Sequence, residues 1–344
     1  MKVDIVNPLD IPDWDEQILR LPGYSFFHCS AWARVLSESY GYKPLYFTIF
    51  NANAISACLP MMEVNSRITG KRGVSLPFTD YCEPLVDDAY QYDALLIFAK
   101  EYARKAGWKY VEFRGGQDYL GSAQSWTTFL GHTLDLTDDP NSLFLQFRNS
   151  TQRNVRKAEK EGVKTEFAET IDAVLEFCHL NSISRKRHGL PPQPIGFFKA
   201  VHRHVISKGL GFVVLASHEG EAVAGSTFFV FGHKAVYKYG ASGMDKQQFR
   251  PNNLVMWRAI KRLSENGFES VNFGRTEHQH KGLLQFKAGW RPTERQIAYY
   301  RYDPGMVCFC GPSQGLGRSQ HAIFGKMPIS ALNLIGSLTY KHMG

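Results

Sequence analysis

The chain has 344 residues, 44% of them hydrophobic and 13% aromatic, which is too long for one small core and too apolar for a disordered chain. A formal net charge of +8 favours phosphate-bearing or membrane-surface partners. The apolar runs, such as 228–231, exclude a membrane span, the six cysteines are scattered without a CxxC pair, and the opening MKVDIVNPLDIPDWDEQ has no basic-then-apolar leader, so a reduced cytoplasmic protein is expected.

Ser30 is placed to cap a short helix carrying Trp32, Val35 and Leu36 and stopped by Gly41. Two strand-like runs follow at 45–50 and 54–63. The stretch 74–81 (VSLPFTDY) reads as a strand running into a loop that exposes Thr79, Asp80 and Tyr81. Residues 88–106 carry a helical apolar stripe of Leu95, Phe98 and Tyr102, closed by Gly107. Strands are expected at 108–114 and near 128–136.

The stretch 142–162, SLFLQFRNSTQRNVRKAEKEG, reads as a helix anchored by Phe144 and Phe147 and ended by Gly162. Arg153, Arg156, Lys157 and Lys160 fall at i, i+3, i+4 and i+7, so a helix lines them along one face. That face is either a solvated surface or one that meets a polyanion.

A helix over 171–187, capped by Thr170, ends in the break RKRHGLPPQP, where three prolines and a glycine forbid continuation. A helix over 196–207, a hairpin of 212–217 and 222–231, and a strand at 235–241 come next. Pro251 opens a helix with an apolar face of Leu254, Trp257, Ile260 and Leu263, Gly267 ends it, and 268–273 is again a strand. The order helix, glycine, aromatic, strand occurs as AGWKYVEFRG at 106–115 and as NGFESVNFGR at 266–275. With the hairpins at 45–63 and 212–231, this predicts an internal duplication, each copy a mixed sheet flanked by helices.

Two stretches carry chemistry. The loop MDKQQFRPNN delivers Lys246 and Arg250 to a helix N-terminus, whose free N–H groups suit a phosphate. The stretch GRTEHQHKGLLQFKAGWRP follows the last core strand, where α/β sheets border ligand crevices. There Lys287, following Phe286, is suited to a phosphate or to the oxyanion of an acyl-transfer intermediate. Glu277, His278 and His280 have no distant partner at metal-ligand spacing, so no metal is expected.

RNSTQRNVRKAEKEGV, SRKRHGLPPQPIGFF, the PNNLVMW helix start and GLLQFKAGW together resemble the FemAB-like branch of the GNAT superfamily, in order and over most of the chain, from HCSAW to KHMG. The resemblance implies an α+β fold of two tandem GNAT-like domains, at 1–140 and 141–305, joined near 137–150, with the main cleft in the second. Residues 306–344 then form a tail, closest to the relatives associated with exopolysaccharide and protein-sorting systems. It implies an acyl- or aminoacyl-transferase acting on an amine of a cell-envelope precursor, peptidoglycan or exopolysaccharide. The donor is acyl-CoA or aminoacyl-tRNA, undecided between them. The long coiled-coil arm of some Fem proteins is missing, and so is the Q/RxxGxG/A loop of coenzyme A-dependent enzymes, which weakens each donor reading in turn.

By the same resemblance, the lysine of the family's FK motif falls on Lys287, with Arg275 ending the preceding strand, as catalytic candidates. Candidates for binding donor or substrate are Arg153, Arg156, Lys157, Asp80, Tyr81, Tyr239, Arg250, Asn253 and Phe286. Asp80, Glu112, Asp245 and Glu277 are candidates for the base. An aminoacyl-tRNA-dependent peptidoglycan-bridge enzyme, a non-catalytic module for a lipid-linked glycan or peptide, and a nucleic-acid binder are the alternatives. Partners implied are the envelope precursor, lipid-linked in the best known members, tRNA, and a peripheral contact at the inner face of the membrane. Pro328 opens a last helix whose Ile329, Leu332, Leu334, Ile335 and Leu338 either cap a core or lie on that membrane.

Overall fold

The structure is a computed structural model that describes residues 1–243, 246–312 and 324–344. Two compact units share the chain. The first is Met1–Leu130, Gln296–Gly315 and Thr339–Gly344, and the second is Gly131–Arg295 with Leu316–Leu338. The units are therefore interleaved along the sequence, whereas the expectation was of successive blocks ending at 140 and 305.

In chain order the elements are β1 (Asp4–Val6), α1 (Trp14–Ile18), α2 (Ser30–Tyr40), β2 (Lys43–Pro44), β3 (Tyr46–Asn51), β4 (Ala54–Leu59), β5 (Met62–Ser66), β6 (Gly70–Val74) and α3 (Ala89–Lys105). Then come β7 (Val111–Arg114), α4 (Gln117–Leu120), β8 (Thr127–Asp135), α5 (Pro140–Gln146), α6 (Asn149–Lys160), β9 (Lys164–Ala168), α7 (Ile171–Arg187) and α8 (Ile195–His204). The rest are β10 (Gly211–His218), β11 (Glu221–Phe231), β12 (Lys234–Ser242), α9 (Pro251–Glu265), β13 (Ser270–Thr276), α10 (Lys281–Ala288), β14 (Thr293–Asp303), β15 (Cys308–Phe309) and α11 (Ile329–Thr339).

In the first unit β1, β3 and β4 form a small antiparallel sheet. Pro60 has no N–H to donate, and the run expected at 54–63 breaks there into β4 and β5. β5 pairs antiparallel with β6, β6 parallel with β7, and β7 antiparallel with β14. The Asp88 side chain accepts from the Gln91 N–H and opens α3, and Gly107 at φ +68° closes it. The helix buries Leu95, Leu96, Ala99 and Ala103 among Phe47, Ile49, Val111, Phe113 and Tyr300. Each such leucine contributes about 1.5–3 kcal/mol by leaving water.

Two local expectations are corrected here. Ser30 is the first helical residue and not the cap: its N–H and hydroxyl both donate to the Asp15 carboxylate. Thr79 is buried, its hydroxyl donating to the Leu76 carbonyl, while Asp80 and Tyr81 beside it are partly open.

In the second unit the sheet order is β8, β13, β12, β11, β10, β9. All neighbours from β9 to β12 are antiparallel, and β12 and β13 are parallel, with α9 crossing between them. Thus α9 stands to β12 and β13 as α3 stands to β6 and β7, the repeat anticipated from the two GF/GW signatures. α6 and α9 pack with Phe147 and Trp290 in one core. The helix expected over 142–162 is two helices, because Phe147 turns to an extended backbone at ψ 158° and drops its ring onto Trp257 and Trp290.

Candidate active site

The parallel pairing of β12 with β13 covers only Lys234–Ser270, Ala235–Val271 and Val236–Asn272. Past Val236 the strands part, and β12 runs on to Ser242 held by β11 alone. An irregularity opposite Thr227 and Phe228 passes over Lys238, which the ladder leaves without an opposite residue. At this open end lies a cleft of about 640 Å³ bounded by the end of α7, β12, the start of α9 and the start of α10. Gly240 is required there, since a Cβ on it would fall 1.8 Å from the Tyr237 phenol oxygen. Burial pushes that phenol up to about 12.

The cleft's charged lining is cationic. Arg185, Arg187, His188, Lys238 and His280 line it. Arg185 is anchored by a 3.2 Å bond from Nε to the Pro191 carbonyl, which the proline break after α7 brings back over the helix end. The His188 and His280 rings stand 6.1 Å apart. Burial lowers the pKa of His188, and Arg187, His280 and Arg185 lower it further, so a neutral imidazole faces the cleft. Such an arrangement suits an anionic ligand and leaves a neutral nitrogen that can take a proton.

Of the residues expected at a site, Tyr239 and Phe286 line this cleft. Lys287 does not. Its side chain is only 2% exposed, and Nζ donates to the carbonyls of Gly274 (3.1 Å) and Arg275 (3.3 Å) at the end of β13. Arg275 itself is half-buried on β13. Arg250 is exposed in the left-handed conformation at φ +60° ahead of Pro251, and Asn253 is buried in the first turn of α9. Arg153, Arg156 and Lys157 lie on the exposed side of α6, Arg156 over the Phe144 ring at 5.5 Å.

Asp80 and Tyr81 belong to the first unit, where the Tyr299 hydroxyl donates to the Asp80 carbonyl at 2.6 Å and Tyr81 meets Phe27 edge-on. In that unit the end of β6 and β7 is occupied by the chain itself. Arg114 reaches the carbonyls of Leu76 and Thr79 and the Glu112 carboxylate. Burial alone would raise the Glu112 pKa, but Arg114 and Arg301 overcome it and hold the carboxyl below its usual range. Glu112 is therefore a structural anion and a poor proton acceptor. Glu277 is exposed and accepts from Gln279, and Asp245 lies outside the described residues.

Residues 146–282 match the acetyltransferase (GNAT) domain family. The described fold is shared with the crystal structure of FemX, at a TM-score of 0.70 over 87% of this chain and 97% of that one, with 15% identity. The GNAT match covers less than half of the chain, and the likeness to FemX is one of fold. A tandem GNAT protein from the clavulanic acid biosynthesis pathway is also similar, with a TM-score of 0.57, 10% identity, and coverage of 88% and 98%. In sequence, the lipid II:glycine glycyltransferase of Staphylococcus epidermidis is 33% identical over 78 residues, which are 21% of this chain and 19% of the relative. That of Staphylococcus haemolyticus is 33% identical over 84 residues, 22% and 20%. The match thus spans about a fifth of the curated relatives' length. The GNAT match falls within the second unit, which also holds the open cleft.

The cationic cleft lining was legible only in part. SRKRHG stood out as a helix break, but nothing in its spacing said that Arg185, Arg187 and His188 would be turned toward β12. His132, buried beside Lys287, gave no sequence signal at all.

Proposed function

We propose that the chain transfers an acyl or aminoacyl group to an amine of a cell-envelope precursor. The observation that carries this reading is the splayed end of β12 and β13, open into a cleft lined by Arg185, Arg187, His188 and Lys238. Acyl-CoA and aminoacyl-tRNA both carry phosphates, and both suit that lining. The precursor class follows the curated relatives, which are named for lipid II, and the peripheral membrane contact follows the exposed Leu334 and Leu338 of α11.

In the transfer an amine nitrogen attacks the carbonyl carbon of the ester or thioester, the oxygen gains negative charge, and the alcohol or thiol leaves. Positioning and charge stabilisation are what this needs from the protein. The guanidinium groups of Arg185 and Arg187 hold donor phosphate. Lys287 and Arg275 supply positive charge at the end of β13, which acts over a longer distance from a buried site than from water. His188, neutral at its lowered pKa, accepts the proton that the amine nitrogen sheds as the C–N bond forms and passes it to the departing oxygen or sulfur as the ester or thioester bond breaks.

The deciding experiment incubates the purified protein with acyl-CoA or with charged tRNA, each with and without lipid II, and follows thermal stability and product mass together. Transfer from one donor names it. Stabilisation without product from either donor would leave a binding module and overturn the proposal.

A further inference from the structure

His132 on β8 is 1% exposed, lies in the second unit and does not line the cleft described above. Its Nε2 is 3.2 Å from a carboxylate oxygen of Glu294. The ring also bonds the Gly274 backbone, whose carbonyl takes the Lys287 ammonium. A neutral or charged imidazole and a fixed ammonium thus meet at one acceptor.

The surrounding charges are few and identifiable. Glu294 approaches from β14, Lys287 from α10, and Arg148 and Arg291 border the small cleft of about 470 Å³ that opens onto His132. Three of the four are cations, so the neutral ring is favoured. Burial and Lys287 lower the His132 pKa, and Glu294 opposes them. When the ring does protonate, a second positive charge arrives beside Gly274, and the Lys287 ammonium is driven from it.

We infer that His132 is a positioning residue for Lys287, its neutral ring letting the ammonium rest on the Gly274 and Arg275 carbonyls and its protonated ring displacing it. The functional meaning rests on the proposed role of Lys287 in transfer; the coupling itself does not. A cleft at Glu294 gives water and protons access to an otherwise sealed pair.

The test is NMR of the full chain without substrate. The His132 ring and the Lys287 side-chain nitrogen are titrated in the wild type, Lys287→Met, His132→Gln and Glu294→Gln. The Lys287 signal should shift with the midpoint of His132 and lose that step in His132→Gln. The His132 midpoint should rise in Lys287→Met and fall in Glu294→Gln. A Lys287 signal indifferent to His132, or a His132 midpoint unmoved by Lys287→Met with the fold intact by circular dichroism, overturns the inference. Should Lys287→Met retain full transfer activity while the coupled titration stands, the catalytic reading falls and the pairing survives.

Discussion

Gly289 packs so closely on Thr151 that a Cβ in its place would lie 2.3 Å from the threonine hydroxyl oxygen. With the Arg148 N–H donating to the Gly289 carbonyl at 3.0 Å, this contact fixes the end of α10 against the start of α6. Gly289 has an ordinary helical backbone, φ −62°, so the demand is for space and not for conformation. Gly289→Ala should cost about 1–3 kcal/mol, the usual range for overpacking. Adding Thr151→Ala should recover part of the loss, and denaturant unfolding of the two single variants and the double measures that coupling.

Lys287→Ala should lower transfer at least tenfold, because its charge is assigned to the developing oxyanion. Burial adds a second effect that a surface lysine would lack. The carbonyls of Gly274 and Arg275 lose a donor, and stability should fall by about 1–3 kcal/mol. Single-turnover rates at saturating donor, beside unfolding curves, separate the two. An unchanged rate would remove Lys287 from the mechanism.

Glu112 bonds Arg114 and Arg301 at 2.8 Å each, and its folded pKa lies below the ordinary value of 4.5. Its contribution to stability is therefore complete above the unfolded value and lost as pH falls through the lower folded one. Glu112→Gln should destabilise by roughly 3–5 kcal/mol at neutral pH, since Arg114 is left buried without its carboxylate. The gap between wild type and variant should close in acid, below the usual carboxylate range. A gap independent of pH would mean that packing, not charge, carries the effect.

The exposed cations of α6 give a salt-dependent prediction. Changing Arg153, Arg156 and Lys157 together to glutamine should weaken tRNA binding and flatten its dependence on salt, as fewer counterions are released. Equal affinity and an equal slope would make this helix face a solvated surface and nothing more.

The repeated part of the fold was legible because its signals are local. Thr170 caps α7, Pro251 opens α9, and Gly41, Gly107, Gly162 and Gly267 all take the positive φ of a helix end. The strands β9 and β14 were not anticipated. In β14 the TERQ start offers no apolar alternation, and only Ile297 to Tyr300 are buried in succession. The site was harder still, since it depends on which residues the splay of β12 leaves facing open space. Tyr239 and Phe286 were found there, while the burial of Lys287 depends on the carbonyls of a strand more than ten residues earlier.

The interleaving of the two units has a consequence for how the chain is made. β7 ends at Arg114, but its antiparallel neighbour β14 is not synthesised until residues 293–303 have left the ribosome. The first unit must wait through some 180 residues of intervening chain before its sheet has both neighbours, a contact of high sequence separation whose loop-closure cost slows folding. Gly131–Arg295 holds most of its partners in one continuous stretch and can mature first. The order of completion is then the reverse of the order of synthesis, and a fragment stopped at Leu130 would be left with β7 unpaired on one edge, open to association with other nascent chains.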